Sequence, residues 1–313
     1  MVRISEMAQP SERCPACNSD RRSWHGEKNS HEVFRCRKCG TLYSERFEIS
    51  YDCYYDDTNL KVPEFIRARL DEVFEELGTY RQTNRLLDIG CGAGSLLEAA
   101  RRAGWDAEGL EISEPAAEFV RTQGFKVFRG DLLNAPYPDD HFDIVTASEL
   151  IEHVADPLTM LKKTARILRS GGLLWATTPN ANSLSSRMLG VKWSTVCPPE
   201  HLQLFSPSGI RELTEKAGFR HVKLTSRGCN PFEIWHGLRD KQSSQSNGSH
   251  PSEVSPVNEE APASEAAFDR VSSSYHLNET MLSNPLTRGI KSAANVALGL
   301  TGLGDTIRIQ AEK

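Results

Sequence analysis

Two hydrophobic periods alternate along this chain. Between Arg85 and Ser226, short apolar runs such as Leu86-Leu87-Asp88-Ile89 and Phe142-Asp143-Ile144-Val145 are each followed by segments whose apolar residues recur at helical spacing. The pattern predicts strands near Arg85–Ile89, Asp106–Leu110, Lys126–Arg129, Phe142–Ala147, Gly172–Thr178 and His221–Ser226. It predicts helices near Ser95–Arg102, Glu114–Thr122, Pro157–Leu168 and Pro207–Ala217, with an earlier one over Pro63–Leu77. Strands that alternate with helices imply a mostly parallel sheet covered on both faces. From Lys241 to about Ser274 the residues turn to Ser, Pro, Glu, Asn and Ala, too polar to bury a core of their own. The apolar, small-residue stretch Ile290 to Leu303 then reads as a packed helix, with a membrane or partner contact as the weaker reading. Asp305 to Ala311 alternates like a strand.

The first of these strands runs into Gly90-Cys91-Gly92-Ala93-Gly94. Glycines remove the Cβ atoms that keep a ligand off the backbone, and the following helix points its N–H groups and positive end at whatever binds there. The spacing Gly-x-Gly-x-Gly, with Asp88 two residues ahead, departs from the Gly-x-Gly-x-x-Gly of dinucleotide sites, and no Gly-Lys-Ser/Thr follows. Glu111 stands at the next strand end, about 20 residues on, where a carboxylate accepts hydrogen bonds from a ribose. Asp131 stands at the tip of a third strand. Three carboxylates without a basic cradle suit a ligand with a ribose, an amino group and positive charge, and suit a pyrophosphate poorly.

At these residues the chain resembles the class I S-adenosylmethionine-dependent methyltransferases, of the branch that includes the ubiquinone-biosynthesis O-methyltransferases and many small-molecule enzymes. The resemblance runs from about Arg85 to Phe219. It rests on Asp88 to Gly94, Glu111, Gly130-Asp131-Leu132, Phe142 to Val145 leading into Ser148-Glu149-Leu150-Ile151-Glu152-His153-Val154, Leu168-Arg169-Ser170-Gly171-Gly172, and Ala217-Gly218-Phe219. It implies a Rossmann-like α/β fold, a mostly parallel seven-stranded sheet whose last strand is antiparallel. It also implies S-adenosylmethionine as cofactor. Asp88 and the backbone of Gly90, Cys91, Gly92 and Gly94 would hold the methionine part, Glu111 the ribose, and Asp131 with the Leu132 backbone the adenine; Ile112 and Ser148 complete the set. Ser50 to Leu60, rich in tyrosine and acids, resembles the aromatic segment that often precedes this core.

Composition changes the picture little, but the cysteines change it. At 313 residues and 38% hydrophobic content, the chain can bury one full core and carry a small module. The net charge of −5 gives no global reason to expect nucleic acid. Met1 to Arg13 lacks a signal-peptide core and no apolar run reaches membrane-spanning length, so a cytoplasmic protein is expected. Cys14-Pro15-Ala16-Cys17 and Cys36-Arg37-Lys38-Cys39 are two C-x-x-C pairs separated by 18 residues, the spacing of a zinc ribbon. Four thiolates complete a tetrahedral shell with no open position, so the predicted Zn²⁺ is structural. Phe34-Arg35 and Leu42-Tyr43 read as strand pieces of this ribbon. Cys53, Cys91, Cys197 and Cys229 read as small buried or loop thiols. The expected organisation is a ribbon over 1–48, a methyltransferase core with its preceding helix over 49–240, a disordered insert over 241–280, and a C-terminal helix with the last strand over 281–313.

The acceptor is expected beside the carboxyl end of the strand Phe142–Ala147. Glu149, Glu152 and His153 follow it at i, i+3 and i+4, so one helical turn would present them on one face. Quinone-type O-methyltransferases share this Glu-x-x-Glu-His pattern and some require a divalent metal, which raises a catalytic Mg²⁺ or Zn²⁺ beside the simpler reading that the segment shapes the pocket. His153, Glu149 and His201 are the candidate catalytic residues; His201, in Pro199-Glu200-His201-Leu202, resembles a recurrent segment that closes over the acceptor pocket. Trp193, Phe205 and the Pro179-Asn180 turn are expected to wall that pocket, or to be core.

Methyl transfer to a small-molecule or glycan-type acceptor, on oxygen, is the first reading. Sugar C-methylation is the nearest alternative, because four-cysteine modules of similar spacing also precede sugar C-methyltransferases. RNA methylation fits less well: the strand Phe142–Ala147 lacks an Asn/Asp-Pro-Pro-Tyr/Phe motif, although Arg21, Arg22, Arg35, Arg37 and Lys38 make the ribbon locally basic. A non-catalytic cofactor-binding protein is the fourth reading. Pocket loops set the acceptor and the oligomeric state, and no rule reads them from one chain.

Overall fold

A computed structural model of the protein describes residues 12–44, 64–243 and 285–313. The aromatic segment Ser50 to Leu60, Cys53 and almost all of the polar insert lie outside the described residues. The leading elements are strands β1 (Arg22–Lys28), β2 (His31–Cys36) and β3 (Leu42–Tyr43) and helix α1 (Glu64–Leu77). Then follow β4 (Arg85–Ile89), α2 (Ser95–Arg102), β5 (Asp106–Glu111), α3 (Glu114–Thr122), β6 (Lys126–Arg129) and β7 (Phe142–Ser148). The chain continues through α4 (Pro157–Ile167), β8 (Leu168–Pro179), α5 (Leu184–Leu189), β9 (Gln203–Leu204), α6 (Pro207–Lys216) and β10 (Arg220–Arg227). It closes with α7 (Pro231–Ser243), α8 (Pro285–Thr301) and β11 (Thr306–Glu312).

Seven strands form one sheet in the order β10-β11-β8-β7-β4-β5-β6. The pairings from β8 through β6 are parallel, and β11 runs antiparallel to both β8 and β10. This is the expected Rossmann-like arrangement, including the antiparallel last strand. The central strands are apolar almost throughout because helices cover both faces: Leu86, Leu87, Ile144 and Val145 have no exposed surface. Strand β8 begins at Leu168 rather than at Gly172, since Leu168 pairs with Phe142 before the register shifts.

The amino ends of these strands are held by one buried ion pair. Asp143 accepts the backbone N–H groups of Gln82, Thr83 and Asn84, each at 2.8 Å, and the Arg169 guanidinium at 2.6 Å. Burial alone would raise this carboxyl, but the donors around it, led by the Gln82 N–H and Arg169, outweigh burial and hold it below the ordinary range.

The ribbon strands are not an isolated hairpin. Their sheet has the order β1-β2-β3-β9, so its fourth strand comes from the segment just before α6. Leu42 stands opposite Leu204 and Tyr43 opposite Gln203. Helix α8 occupies the Ile290–Leu303 region and lies along β10, but it is less packed than expected: Val296 is 59% exposed and Leu300 84%. No helix among the described residues is long and apolar enough to cross a membrane.

Candidate active site

At the carboxyl end of β4 the chain turns through Gly90, Gly92 and Gly94, which have φ of +68°, +49° and +80°. Side-chain-bearing residues seldom adopt such angles, so the loop depends on glycine. Its backbone is tied to the next strand, since Gly90 N and Cys91 N donate to Leu110 O at 2.7 and 3.1 Å. Glu111, buried at the end of β5, accepts from Gly92 N and Ser113 N, both at 2.9 Å. The carboxylate thus fixes the loop from below and keeps lone pairs for a further donor.

Asp88 is buried beneath the loop and accepts from the Thr146 hydroxyl at 2.7 Å. Burial pushes its carboxyl up to about 7; the Thr146 bond opposes this and nearby Glu111 adds to it. Asp131, at the tip of β6, is exposed and caps the turn Leu132–Asn134 by accepting Leu133 N at 2.8 Å. Ile112 and Leu133 are 51% and 46% exposed, two apolar side chains beside two acids at neighbouring strand ends. A flat aromatic base with polar edges suits such a place. Leu133 does not stand out in the sequence, because one leucine in a loop carries no signal until its exposure is known.

The segment after β7 lies directly on the glycine loop. A Cβ added to Gly90 would stand 2.9 Å from Leu150 Cδ1. The segment is not the helical turn expected from spacing. Glu149 has a φ of +49° and a single 3₁₀ turn spans Ile151–His153, yet the Glu149 and Glu152 carboxyls still meet. Beside them, Glu152, His153 and His201 offer ligand atoms that all lie within 4.8 Å of one another. The two imidazoles meet edge to face, with centroids 4.6 Å apart.

The hydrogen bonds fix the chemistry of this cluster. His153 Nδ1 faces Glu200 O at 2.9 Å and His201 Nδ1 faces Thr195 O at 2.7 Å. A carbonyl only accepts, so each neutral ring carries its proton on Nδ1 and its lone pair on Nε2. Burial, with His201 alongside and the Glu200 carbonyl opposing, takes His153 down to about 3, and burial also lowers His201. Glu152 is fully buried; Thr178 donates to its Oε2 at 2.9 Å, and its carboxyl faces that of Glu149. Burial, reinforced by the Glu149 carboxyl, holds Glu152 well above the ordinary range. Glu149 reaches solvent, yet surrounding protein desolvates it and raises it, against the Thr177 hydroxyl and the Arg69 guanidinium. Ser148 Oγ, 2.9 Å from Thr177 Oγ1, completes this polar rim. Two neutral imidazoles and a carboxyl group, which a cation would deprotonate on binding, form a donor set for a divalent cation.

Trp193 and Phe205 are 2% and 0% exposed and belong to the core, so neither walls the pocket. The Asn180 side chain donates to Gly302 O and Gly304 O, tying the Pro179-Asn180 turn to the segment that leads into β11. Gln203 is a site residue that sequence reasoning misses, because a two-residue strand has no period to read. Its Nε2 donates to Ile151 O, Glu152 O and Val154 O at 3.0, 3.2 and 2.8 Å.

The four ribbon cysteines converge. Cys14 Sγ and Cys39 Sγ are 3.6 Å apart, as are Cys17 Sγ and Cys36 Sγ, and all four residues are buried. Sulfurs held at about 2.3 Å around a tetrahedral zinc stand about 3.8 Å from one another. The spacing therefore fits such an ion.

The family model described as a methyltransferase domain matches residues 60–224, over half of the chain. This protein belongs to the class I S-adenosylmethionine-dependent methyltransferases. The methyltransferase is 32% identical over 180 residues to a ubiquinone biosynthesis O-methyltransferase of Bordetella avium, covering 53% of this chain and 75% of that one. It is 31% identical over 167 residues to the enzyme of the same name from Aromatoleum aromaticum, covering 49% and 71%. In fold it is similar to a SAM-dependent methyltransferase from Archaeoglobus fulgidus, with a TM-score of 0.52 and 20% identity over 84% of this chain and 100% of that one. It is also similar to phosphoethanolamine N-methyltransferase 2 of Haemonchus contortus, solved in complex with S-adenosyl-L-methionine, with a TM-score of 0.53 and 16% identity over 93% and 70%.

Proposed function

We propose that this methyltransferase methylates a hydroxyl oxygen of a small-molecule or glycan-type acceptor. The observation that carries the reading is the cluster Glu152, His153 and His201, set on a segment packed against the glycine loop. The names of the 31% and 32% identical relatives support oxygen as the methylated atom. S-adenosylmethionine supplies a methyl group already activated by sulfonium charge. The protein's part is to align the acceptor and to take up its proton.

Asp88 would meet the cofactor's ammonium group, the loop from Gly90 to Gly94 its methionine part, Glu111 the ribose, and Asp131 with Leu132 and Ile112 the adenine. The acidity of His153 argues against a lone imidazole base. A ring with pKa about 3 lies far below a phenol of about 10, so direct proton transfer would be uphill by about 7 pKa units. The same ring stays neutral at physiological pH and makes a good ligand. We therefore assign Glu152, His153 and His201 to hold a divalent cation that lowers the pKa of the acceptor hydroxyl. Glu149 would face the acceptor from the rim. The four ribbon cysteines would hold a structural Zn²⁺.

The test is methyl transfer from labelled S-adenosylmethionine to a panel of phenols, catechols, sugars and RNA, with and without EDTA followed by Mg²⁺ or Zn²⁺. Oxygen-linked label that is lost with EDTA, restored by one cation and reduced at least a hundredfold by Glu152→Gln supports the reading. Label on carbon or on RNA would overturn the acceptor class. Turnover indifferent to metal would overturn the cation.

A further inference from the structure

Both imidazoles at the acceptor side take their orientation from one loop. His153 Nδ1 donates to the carbonyl of Glu200 and His201 Nδ1 to that of Thr195. Nothing in the loop's sequence is rigidly periodic, so its shape must come from what it touches. What it touches is the ribbon. Lys28 Nζ donates to Trp193 O at 2.7 Å and Asn29 Nδ2 to Pro198 O at 2.8 Å, one on each side of Thr195. Lys28 ends β1 and Asn29 opens the two-residue turn to β2, at the tip of the hairpin.

A second line of bonds starts at the cysteine cluster. Cys39 O accepts from the Ser206 hydroxyl and, at 2.8 Å, from the Ser208 hydroxyl. Three residues on, β3 pairs with β9, and Ser44 N donates to Leu202 O at 3.0 Å. Leu202 N in turn donates to Glu152 O at 3.0 Å. From the same strand the Gln203 amide closes on three carbonyls of the turn that bears Glu152 and His153. The ribbon thus reaches the cluster from two directions, through the loop and through the strand.

We infer that the ribbon forms part of the acceptor site, and that Lys28, Asn29 and Gln203 are positioning residues that set the ring orientation of His153 and His201. This rests on the reading that these histidines face the acceptor. It makes the four-cysteine module a brace for catalysis rather than a separate partner-binding unit. The cofactor loop, by contrast, is anchored on Leu110 and Glu111 and shares none of these bonds.

The test uses the full chain with ¹⁵N-labelled histidine. Lys28→Met and Asn29→Asp, alone and together, remove the two donors while keeping side-chain size at exposed or half-buried positions where unfolding is not expected. Imidazole ¹H–¹⁵N spectra report which ring nitrogen is protonated. The intact protein should show His153 and His201 protonated on Nδ1; the double variant should lose the Nδ1-protonated signal of His201 and shift that of His153. Calorimetric affinity for S-adenosylmethionine should stay within twofold, and Lys28→Arg, which restores a donor, should restore the His201 signal. Unchanged ring spectra in the double variant would overturn the inference, as would a loss of cofactor affinity parallel to the ring changes. Failure of the intact protein to bind S-adenosylmethionine would instead strike at the proposed function and leave the ring result standing.

Discussion

Replacing Asp143 by Asn tests whether the sheet is held at its amino edge by one buried carboxylate. The side chain is fully buried and its partner Arg169 only 11% exposed. An asparagine offers one oxygen and one NH₂ group. If the oxygen faces the three backbone N–H groups, the NH₂ meets the Arg169 donor; if reversed, the NH₂ meets the three backbone donors. Either orientation sets donor against donor and leaves a buried guanidinium without its counter-charge, a change that costs about 3–5 kcal/mol. For a chain of this size about 2 °C of melting temperature corresponds to 1 kcal/mol, so the midpoint should fall by about 6–10 °C. Urea denaturation followed by far-UV circular dichroism measures the free energy directly. The pH dependence has a definite sign. The folded carboxyl is held below its ordinary value, so its contribution is complete above the unfolded pKa of about 4 and is lost as pH falls through the folded one. The difference between wild type and Asp143→Asn should therefore shrink below about pH 4. A loss under 1 kcal/mol at pH 7, or a difference that does not shrink in acid, would refute the reasoning.

Three further perturbations address the sites. A methyl group at Gly109 would lie 2.7 Å from Cys91 Sγ and 3.0 Å from Leu97 Cδ1, so Gly109→Ala should displace the glycine loop and weaken S-adenosylmethionine binding at least tenfold by calorimetry, with Cys91→Ala added to it restoring most of the loss; no loss, or no rescue, contradicts the steric account. Asp88, pushed up to about 7, must ionise to meet a cationic amino group, so cofactor affinity should fall about tenfold per pH unit below 7 with proton release, a dependence absent in Asp88→Asn; a flat profile between pH 8 and 6 excludes that role. In the unliganded protein the raised Asp88 pKa acts the other way on stability: the folded state binds the extra proton between about 4 and 7, so this contribution declines as pH rises through that window. Elemental analysis should find one zinc per chain held by the ribbon, and Cys36→Ser or Cys39→Ser should remove it and lower the melting temperature; a metal content unchanged by these substitutions would dissociate zinc from the four-cysteine cluster.

The central sheet is legible in the sequence because its strands are buried on both faces, and an apolar run as short as Leu86 to Ile89 suits a covered strand better than a helix or a loop. The paired cysteines are legible because two short spacings encode two knuckle turns. Strand β1 is not: Trp24 is 64% exposed and its neighbours are polar, so backbone pairing with β2 holds it without an apolar alternation. Strand β9 is too short for any period, yet it ties the ribbon sheet to the segment leading into α6. In the site, Glu152 and His153 stand out by spacing, but their partner His201 comes from a distant loop, and only the fold brings the rings together. Glu149 does not sit on a regular helical turn, because its left-handed backbone breaks the turn before it starts, yet its carboxyl still meets that of Glu152. Asp143 reads as one acid in a run of apolar residues; its four donors come from distant chain segments that no local pattern announces.

The position of β11 governs the order in which the molecule can be assembled. Among the described residues, strand β10 joins the large sheet only through β11, which follows it across the long connection from α7 to α8. During synthesis, β4 through β8 can pair as they emerge, but β8 then presents an open edge, and β10, already made, has no neighbour to join. An open, apolar strand edge is a template for pairing with another chain. Translation of the last strand is therefore the step that closes the sheet, and a nascent chain paused in the long connection carries its aggregation hazard at the edge of β8. Chaperone contact trapped on stalled chains should concentrate on that edge and end when β11 is released.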